Sequence, residues 1–363
     1  MCVFLLGLAV GVAGHGALVE PIPRNAIDRT LPPRERSPQH LCDCANATGD
    51  SCDVAQACYW YSQGCTIGCP TCDHTNGRVQ VDLCGLGKTP TLNDAAYRSV
   101  NVAAEAGSTL DVYRHNPWRA PGSAPVADAC GLAGGTPWGA DVSEWGDYVN
   151  TSFAKHGDRG SELPPTAPTT WERGSAANVT WQITANHGGG YSYRLCPASE
   201  PLTEACFQKE PLAFASTTHI LAFSDGSKRA ARGTFVNTGT LPEGSTWARN
   251  PIPARCLGRG CVEGQDAPNC EPCPGTLGSD CATCGNSPAP GFAPPCDERE
   301  DVEGRCSGNQ GYSAGGIAGS VVSVRDVLLV PPTLDAGAYV LGWRLDCEAT
   351  AQVWSNCADI LVV

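Results

Sequence analysis

Two histidines in this sequence have neighbours that suit metal chemistry. His15 follows the short apolar leader "MCVFLLGLAVGVAG". Removal of that leader puts a free α-amino group and an imidazole on one residue, a bidentate ligand that only cleavage creates. His187 closes the strand-like run "ANVTWQITANH" and is followed by three glycines, so backbone makes way for a metal and a further ligand there. One amine and two imidazoles form an all-nitrogen set with open positions. Such a set suits Cu(II), the tightest binder of the divalent series, and the imidazoles also tolerate Cu(I). Redox cycling at an open position is what activation of O2 or peroxide requires. His40, His74, His115, His156 and His219 carry no comparable context, and His115 in "YRHNPW" is expected to be solvated or hydrogen-bonded.

The leader decides whether His15 can act in this way. Its apolar run from Val3 to Val12 has the length of a signal-peptide core and falls far short of the ~20 residues of a membrane span. Val12 and Gly14 form a small-residue cleavage pattern, although no Lys or Arg precedes the run. Residues 1–14 are therefore expected to be a signal peptide, and the mature protein to be secreted and extracellular. The 22 cysteines agree with an oxidising compartment. Loss of Cys2 from the 22 leaves 21, an odd number that implies one unpaired thiol, one intermolecular bridge or a misplaced start. Asn46, Asn150 and Asn178 are glycosylation acceptors in a eukaryotic secretory route. No later segment is apolar enough to span a bilayer, and a lipid-anchor signal is lacking. A net charge of −13 disfavours nucleic acid and anionic membranes and suits a neutral polymer such as a polysaccharide.

The elements that must position the histidines read as strands. In 177–187, Val179, Trp181, Ile183 and Ala185 share one face. Further strands are expected over 108–115, 189–196, 219–226, 319–330, 337–347 and 351–363. Short strands between Gly/Pro turns indicate an antiparallel β-sandwich. Two Cys-rich zones interrupt it, at 36–84 and at about 250–312. The second holds Cys256, Cys261, Cys270, Cys273, Cys281, Cys284, Cys296 and Cys306, expected as four internal bridges, with tetrathiolate zinc as the alternative. Tyr59, Trp60 and Tyr61 in "CYWYSQGC" form either a small core or a sugar-stacking patch. Tyr191, Tyr193 and Arg194 are expected as packing and sheet-edge groups. A serine-hydrolase G-x-S-x-G is lacking, and no glycosidase-type carboxylate pair stands out.

Three stretches, in this order, resemble the lytic polysaccharide monooxygenases: "HGALVEPIPRN", "TANHGGGYSYRLCP" and "AQVWSNCADILVV". The likeness is greatest to members with a chitin-binding type-4 domain, including insect- and algal-type ones. It covers the first eleven mature residues and most of 177–215 and 319–363, not the 256–306 zone. It implies one immunoglobulin- or fibronectin-III-like β-sandwich domain over 15–363, with long disulfide-rich loops. It implies one copper per chain, held by His15 and His187 in a histidine brace. Gln352 matches the outer glutamine that steers the oxygen species, and Trp354 falls where the family has an axial Tyr or Phe. The i, i+2 spacing of Gln352 and Trp354 puts both on one strand face. Tryptophan is the departure: it would block the axial position, crowd the copper, relay a hole or serve as plain core. The implied activity is that of a secreted copper-dependent monooxygenase or peroxygenase. It would break glycosidic links oxidatively in chitin, cellulose or a related polysaccharide, as a monomer with an external electron donor. The alternatives are a non-catalytic carbohydrate-binding module and a copper-binding protein without a polysaccharide role.

Overall fold

The structure, a computed structural model, describes residues 15–32, 42–45, 51–74, 114–137, 148–185, 188–223, 226, 228–251, 322–348 and 350–363. They form the expected antiparallel β-sandwich. The first sheet has six strands. Its order is β1 (His15–Glu20), β7 (Ala176–Ala185), β15 (Val322–Leu329), β11 (Thr218–Phe223) and β12 (Lys228–Arg232), with β10 (Ala213–Phe214) also on β15. The second has nine strands. It runs β13 (Phe235–Val236), β14 (Trp247–Arg249), β8 (Gly190–Pro197), β16 (Gly337–Asp346), β17 (Gln352–Val362), β4 (Trp60–Gln63) and β5 (Leu132–Ala133). There β6 (Thr169–Trp171) joins β17 in parallel, and β9 (Glu210–Pro211) joins β8. A separate hairpin pairs β2 (Asp43–Ala45) with β3 (Ser51–Asp53).

Alternation builds the core. Val179, Trp181 and Ile183 of β7 face Tyr191, Tyr193 and Leu195 of β8 and Leu341, Trp343 and Leu345 of β16, in one buried cluster. Trp181 lies against Tyr191 and Trp343 with ring centroids 4.6 and 5.4 Å apart. Thr180 and Gln182, on the opposite face of β7, are buried as well. The expected strands over 177–187, 189–196, 219–226, 319–330, 337–347 and 351–363 thus appear as β7, β8, β11, β15, β16 and β17. Arg114 and His115 lie in a turn, and the rest of the 108–115 stretch lies outside the described residues.

One reading needs correction. Tyr191 and Tyr193 pack in the core as expected, but β8 is no edge strand, since it pairs with both β14 and β16. Arg194 is buried on its other face. It pairs with Glu204 at 2.6 Å, and Glu204 is shared with Arg344 at 2.9 Å. Trp60 and Tyr61 are buried: Trp60 belongs to a small core in which it meets Tyr148 edge-on at 5.6 Å, and Tyr61 joins the main core cluster.

Disulfides join Cys42 to Cys58, Cys65 to Cys72, Cys130 to Cys357 and Cys196 to Cys206. Among the described residues Cys347 is a free, buried thiol. The eight cysteines of 256–306, the leader 1–14 and Asn46 lie outside the described residues, whereas Asn150 and Asn178 are exposed. Among the described residues no helix is long and apolar enough to cross a membrane.

Candidate functional site

Six strand ends meet at one end of the sandwich. β1 and β7 are antiparallel, and their register sets His15 opposite Ala185. Residues 186–189 join β7 to β8, whose first residue, Gly190, pairs with Asp346 at the end of β16. Asp346 in turn pairs with Val353 near the start of β17. Gln352, the first residue of β17, pairs with Gln63, the last of β4. The strand β1 lies on the inner face of the second sheet. The Leu18 N–H donates to Asn356 Oδ1 at 2.8 Å, and a Cβ on Gly16 would stand 3.1 Å from the Trp343 ring.

Gln352, Trp354 and Asn356 share that inner face, as period two requires. Two of them meet a mirrored pattern. Gln352-Val-Trp354 runs antiparallel to Tyr61-Ser-Gln63, so glutamine faces glutamine and aromatic faces aromatic. The Gln352 amide N–H donates to Gln63 Oε1 at 2.8 Å, and its Oε1 accepts from the Thr350 hydroxyl at 3.0 Å. Trp354 stacks on Tyr61 with centroids 4.2 Å apart and planes 19° apart. It is fully buried and belongs to the main core cluster. The Cys347 thiol lies close to both Trp354 and Thr350, the partner of Gln352. Burial pushes this thiol up to about 12, with Asp346 adding to the rise, so it stays protonated.

Buried polar contacts hold the turn between β16 and β17. The Trp118 N–H donates to the Cys347 carbonyl at 3.0 Å and the Asn116 amide to the Glu348 carbonyl at 2.8 Å. Arg249 pairs with Glu348 at 3.0 Å, both 1% exposed. Burial brings the Arg249 guanidinium down to about 10, Glu348 opposing and the neighbouring Arg119 adding to the fall. Asp346 takes the Gly122 N–H at 2.8 Å and the Arg344 guanidinium at 2.6 Å. On the β7–β8 side, the Asn250 N–H donates to the Gly189 carbonyl at 2.9 Å. Gly189 has φ +85°, and a Cβ there would meet the Asp346 carbonyl oxygen at 2.0 Å, so only glycine fits.

Of the four residues singled out from the sequence, Gln352 and Trp354 are brought onto one buried face. His15 is described through its backbone, as the first residue of β1. His187 lies outside the described residues, between Ala185 and Gly188, which are described. Among the described residues no group of three or more His, Cys, Asp or Glu could hold a metal. The structure adds Tyr61, Gln63, Thr350 and Cys347. The reversed order, aromatic-x-Gln against Gln-x-aromatic, becomes apparent only once β4 and β17 are paired. Nothing local points to Cys347.

No family model matches the chain, and no curated protein does. Three solved structures are loosely similar. One is an AA15 lytic polysaccharide monooxygenase from Thermobia domestica in the Cu(I) state, at 16% identity and TM-score 0.24, over 57% of this chain and 76% of that one. Another is a chitin-binding domain from Burkholderia pseudomallei, at 10% identity and TM-score 0.33, over 97% and 100%. A third is a Bacillus amyloliquefaciens CBM33 protein in complex with Cu(I), at 8% identity and TM-score 0.21, over 54% and 56%. Likenesses this distant assign no role to any residue of this chain.

Proposed function

We propose that this chain is a secreted, copper-dependent lytic polysaccharide monooxygenase or peroxygenase acting on chitin, cellulose or a related polysaccharide. In this reading residues 1–14 are removed and 15–363 form one β-sandwich domain with a Cys-rich insertion. The observation that carries it is the register of His15 opposite Ala185, two positions before His187 in the chain. Gln352 and Trp354 lie on the inner face at that same end of the sandwich. The donor set fits copper: one amine and two imidazoles supply nitrogen ligands and leave open positions. His15 would hold the metal through both its amine and its ring, and His187 through its ring. Copper, when bound, supplies the one-electron chemistry that O2 or peroxide activation needs, with electrons from an external donor. Gln352, fixed by Thr350 and Gln63, would steer the oxygen ligand from outside the metal's donor set. Trp354, a rigid ring stacked on Tyr61, would wall the metal site on its apolar side and shield it from water.

The full burial of Trp354 also favours a second reading, a carbohydrate- or copper-binding domain without oxidation. Incubation of copper-loaded protein starting at His15 with a reductant and chitin or cellulose decides between them. The first reading expects oxidised oligosaccharides by mass spectrometry. Binding to the polymer without such products supports the second.

A further inference from the structure

The amide of Gln352 is fixed at both ends, its oxygen by Thr350 and one N–H by Gln63 Oε1. Gln63 is 3% exposed, yet among the described residues its own Nε2 has no hydrogen-bond partner. Buried amide donors are nearly always paired, and an exception marks a strained position or a place that another molecule fills. This donor sits at the sandwich end where β1, β7, β16 and β17 meet. It is one hydrogen bond away from the glutamine assigned to steering oxygen. The same bond that occupies the Gln63 oxygen turns the Gln63 nitrogen away from Gln352, since the two atoms share one planar amide.

We propose that Gln63 is the ligand-donating residue of this site: its amide N–H donates to the small oxygen-bearing or anionic ligand that binds there, and Gln352 aims it. The inference rests on the copper reading. It divides the work of the glutamine pair, with Gln352 anchoring and Gln63 presenting the donor. A glutamine suits the role because its donor carries no charge and stays a donor at every physiological pH.

The test uses copper-loaded protein beginning at His15, with azide as the probe ligand, titrated by EPR and charge-transfer absorption. Gln63→Glu keeps the length of the side chain and an acceptor for Gln352 while removing the amide donors. Gln63→Met removes the donors without adding charge. Both variants are expected to bind copper within about twofold of the parent, since the metal's nitrogen donors are untouched. Both should bind azide about tenfold more weakly, the loss expected for one hydrogen bond to an anion. A variant of either kind that binds copper and azide like the parent overturns the inference. Azide weakened in Gln63→Glu but not in Gln63→Met overturns it too, because charge and not the lost donor would then be the cause. If Gln63→Met does not fold, the Gln63→Glu result stands against Gln63→Asn, which keeps the donor on a shorter arm and should bind azide more tightly than Gln63→Glu. Equal azide binding in those two overturns the inference. A parent that binds no copper overturns the copper reading itself and the inference with it, whereas a copper-binding parent with indifferent variants overturns the inference alone.

Discussion

Gln352 and Trp354 sit side by side, but they are held differently, and the difference sets what their variants should do. Gln352 is held by two hydrogen bonds and contributes little to the apolar core. Gln352→Ala is expected to fold and bind copper while losing most oxidation of polysaccharide, read as oxidised product per unit time. Trp354 is held by stacking on Tyr61 and by the core around it. Trp354→Tyr should keep copper binding and change the EPR parameters and the oxidation rate. Truncation to Ala should cost about 3–5 kcal/mol of stability, the penalty for a fully buried aromatic. Cys347 offers a check that needs no metal. Its protonated, enclosed thiol should resist iodoacetamide at pH 8 in the native protein and be alkylated after denaturation, as peptide mapping would show. Alkylation of Cys347 in the native state would mean that the turn after β16 opens. At this scale the Gln-x-aromatic spacing was legible, because the strand period puts i and i+2 on one face. The partners Tyr61 and Gln63 were not, because their pairing with β17 spans 289 residues and no local pattern encodes it.

At the scale of elements, the site depends on β1 and β7 keeping register and on the β7–β8 connection returning tightly to β16. Gly189 is the residue that permits the return. Gly189→Ala would require an L side chain at positive φ, costing about 1–2 kcal/mol, and would also press a methyl group onto the Asp346 carbonyl. The variant should therefore lower the melting temperature and weaken copper binding at least tenfold, because residue 187 lies two positions away. Unchanged copper affinity in a folded Gly189→Ala protein would separate this connection from the site. The long strands β7, β8, β16 and β17 were legible from alternation and β-branched or aromatic content. The edge role given to Arg194 failed for a physical reason. A charged residue in alternation reads as solvent-facing, but Glu204 and Phe207 of the following segment fold back over it, the Phe207 ring 5.4 Å from its guanidinium. Short strands such as β13 and β14 have too few residues to show a period.

For the whole molecule, stability rests on the inter-sheet core, on the disulfides and on buried ion pairs across the second sheet. Cys130–Cys357 spans 227 residues and ties β17 to the loop before β5. Burial alone would raise the Glu204 carboxyl, but the Arg194 and Arg344 guanidinia hold it below its usual range. A carboxyl lowered in the folded state adds stability above its unfolded pKa, and that contribution is lost as pH falls through the folded value. The melting temperature should therefore drop as the pH falls below about 4. Glu204→Gln should blunt that acid limb and cost about 3 kcal/mol at neutral pH, since two buried guanidinia lose their carboxylate. An odd cysteine count allowed an unpaired thiol, an intermolecular bridge or a misplaced start, and among the described residues Cys347 is a free thiol. The central claim, that freeing His15 creates the metal site, is tested most directly by one titration. Copper(II) affinity and EPR are compared between protein that begins at His15 and protein that retains Gly14 before it. The account predicts one tightly held copper with a tetragonal, nitrogen-rich spectrum in the first, and affinity at least about a hundredfold weaker in the second, because the free amine is gone. Equal affinity and the same spectrum in both proteins would contradict it.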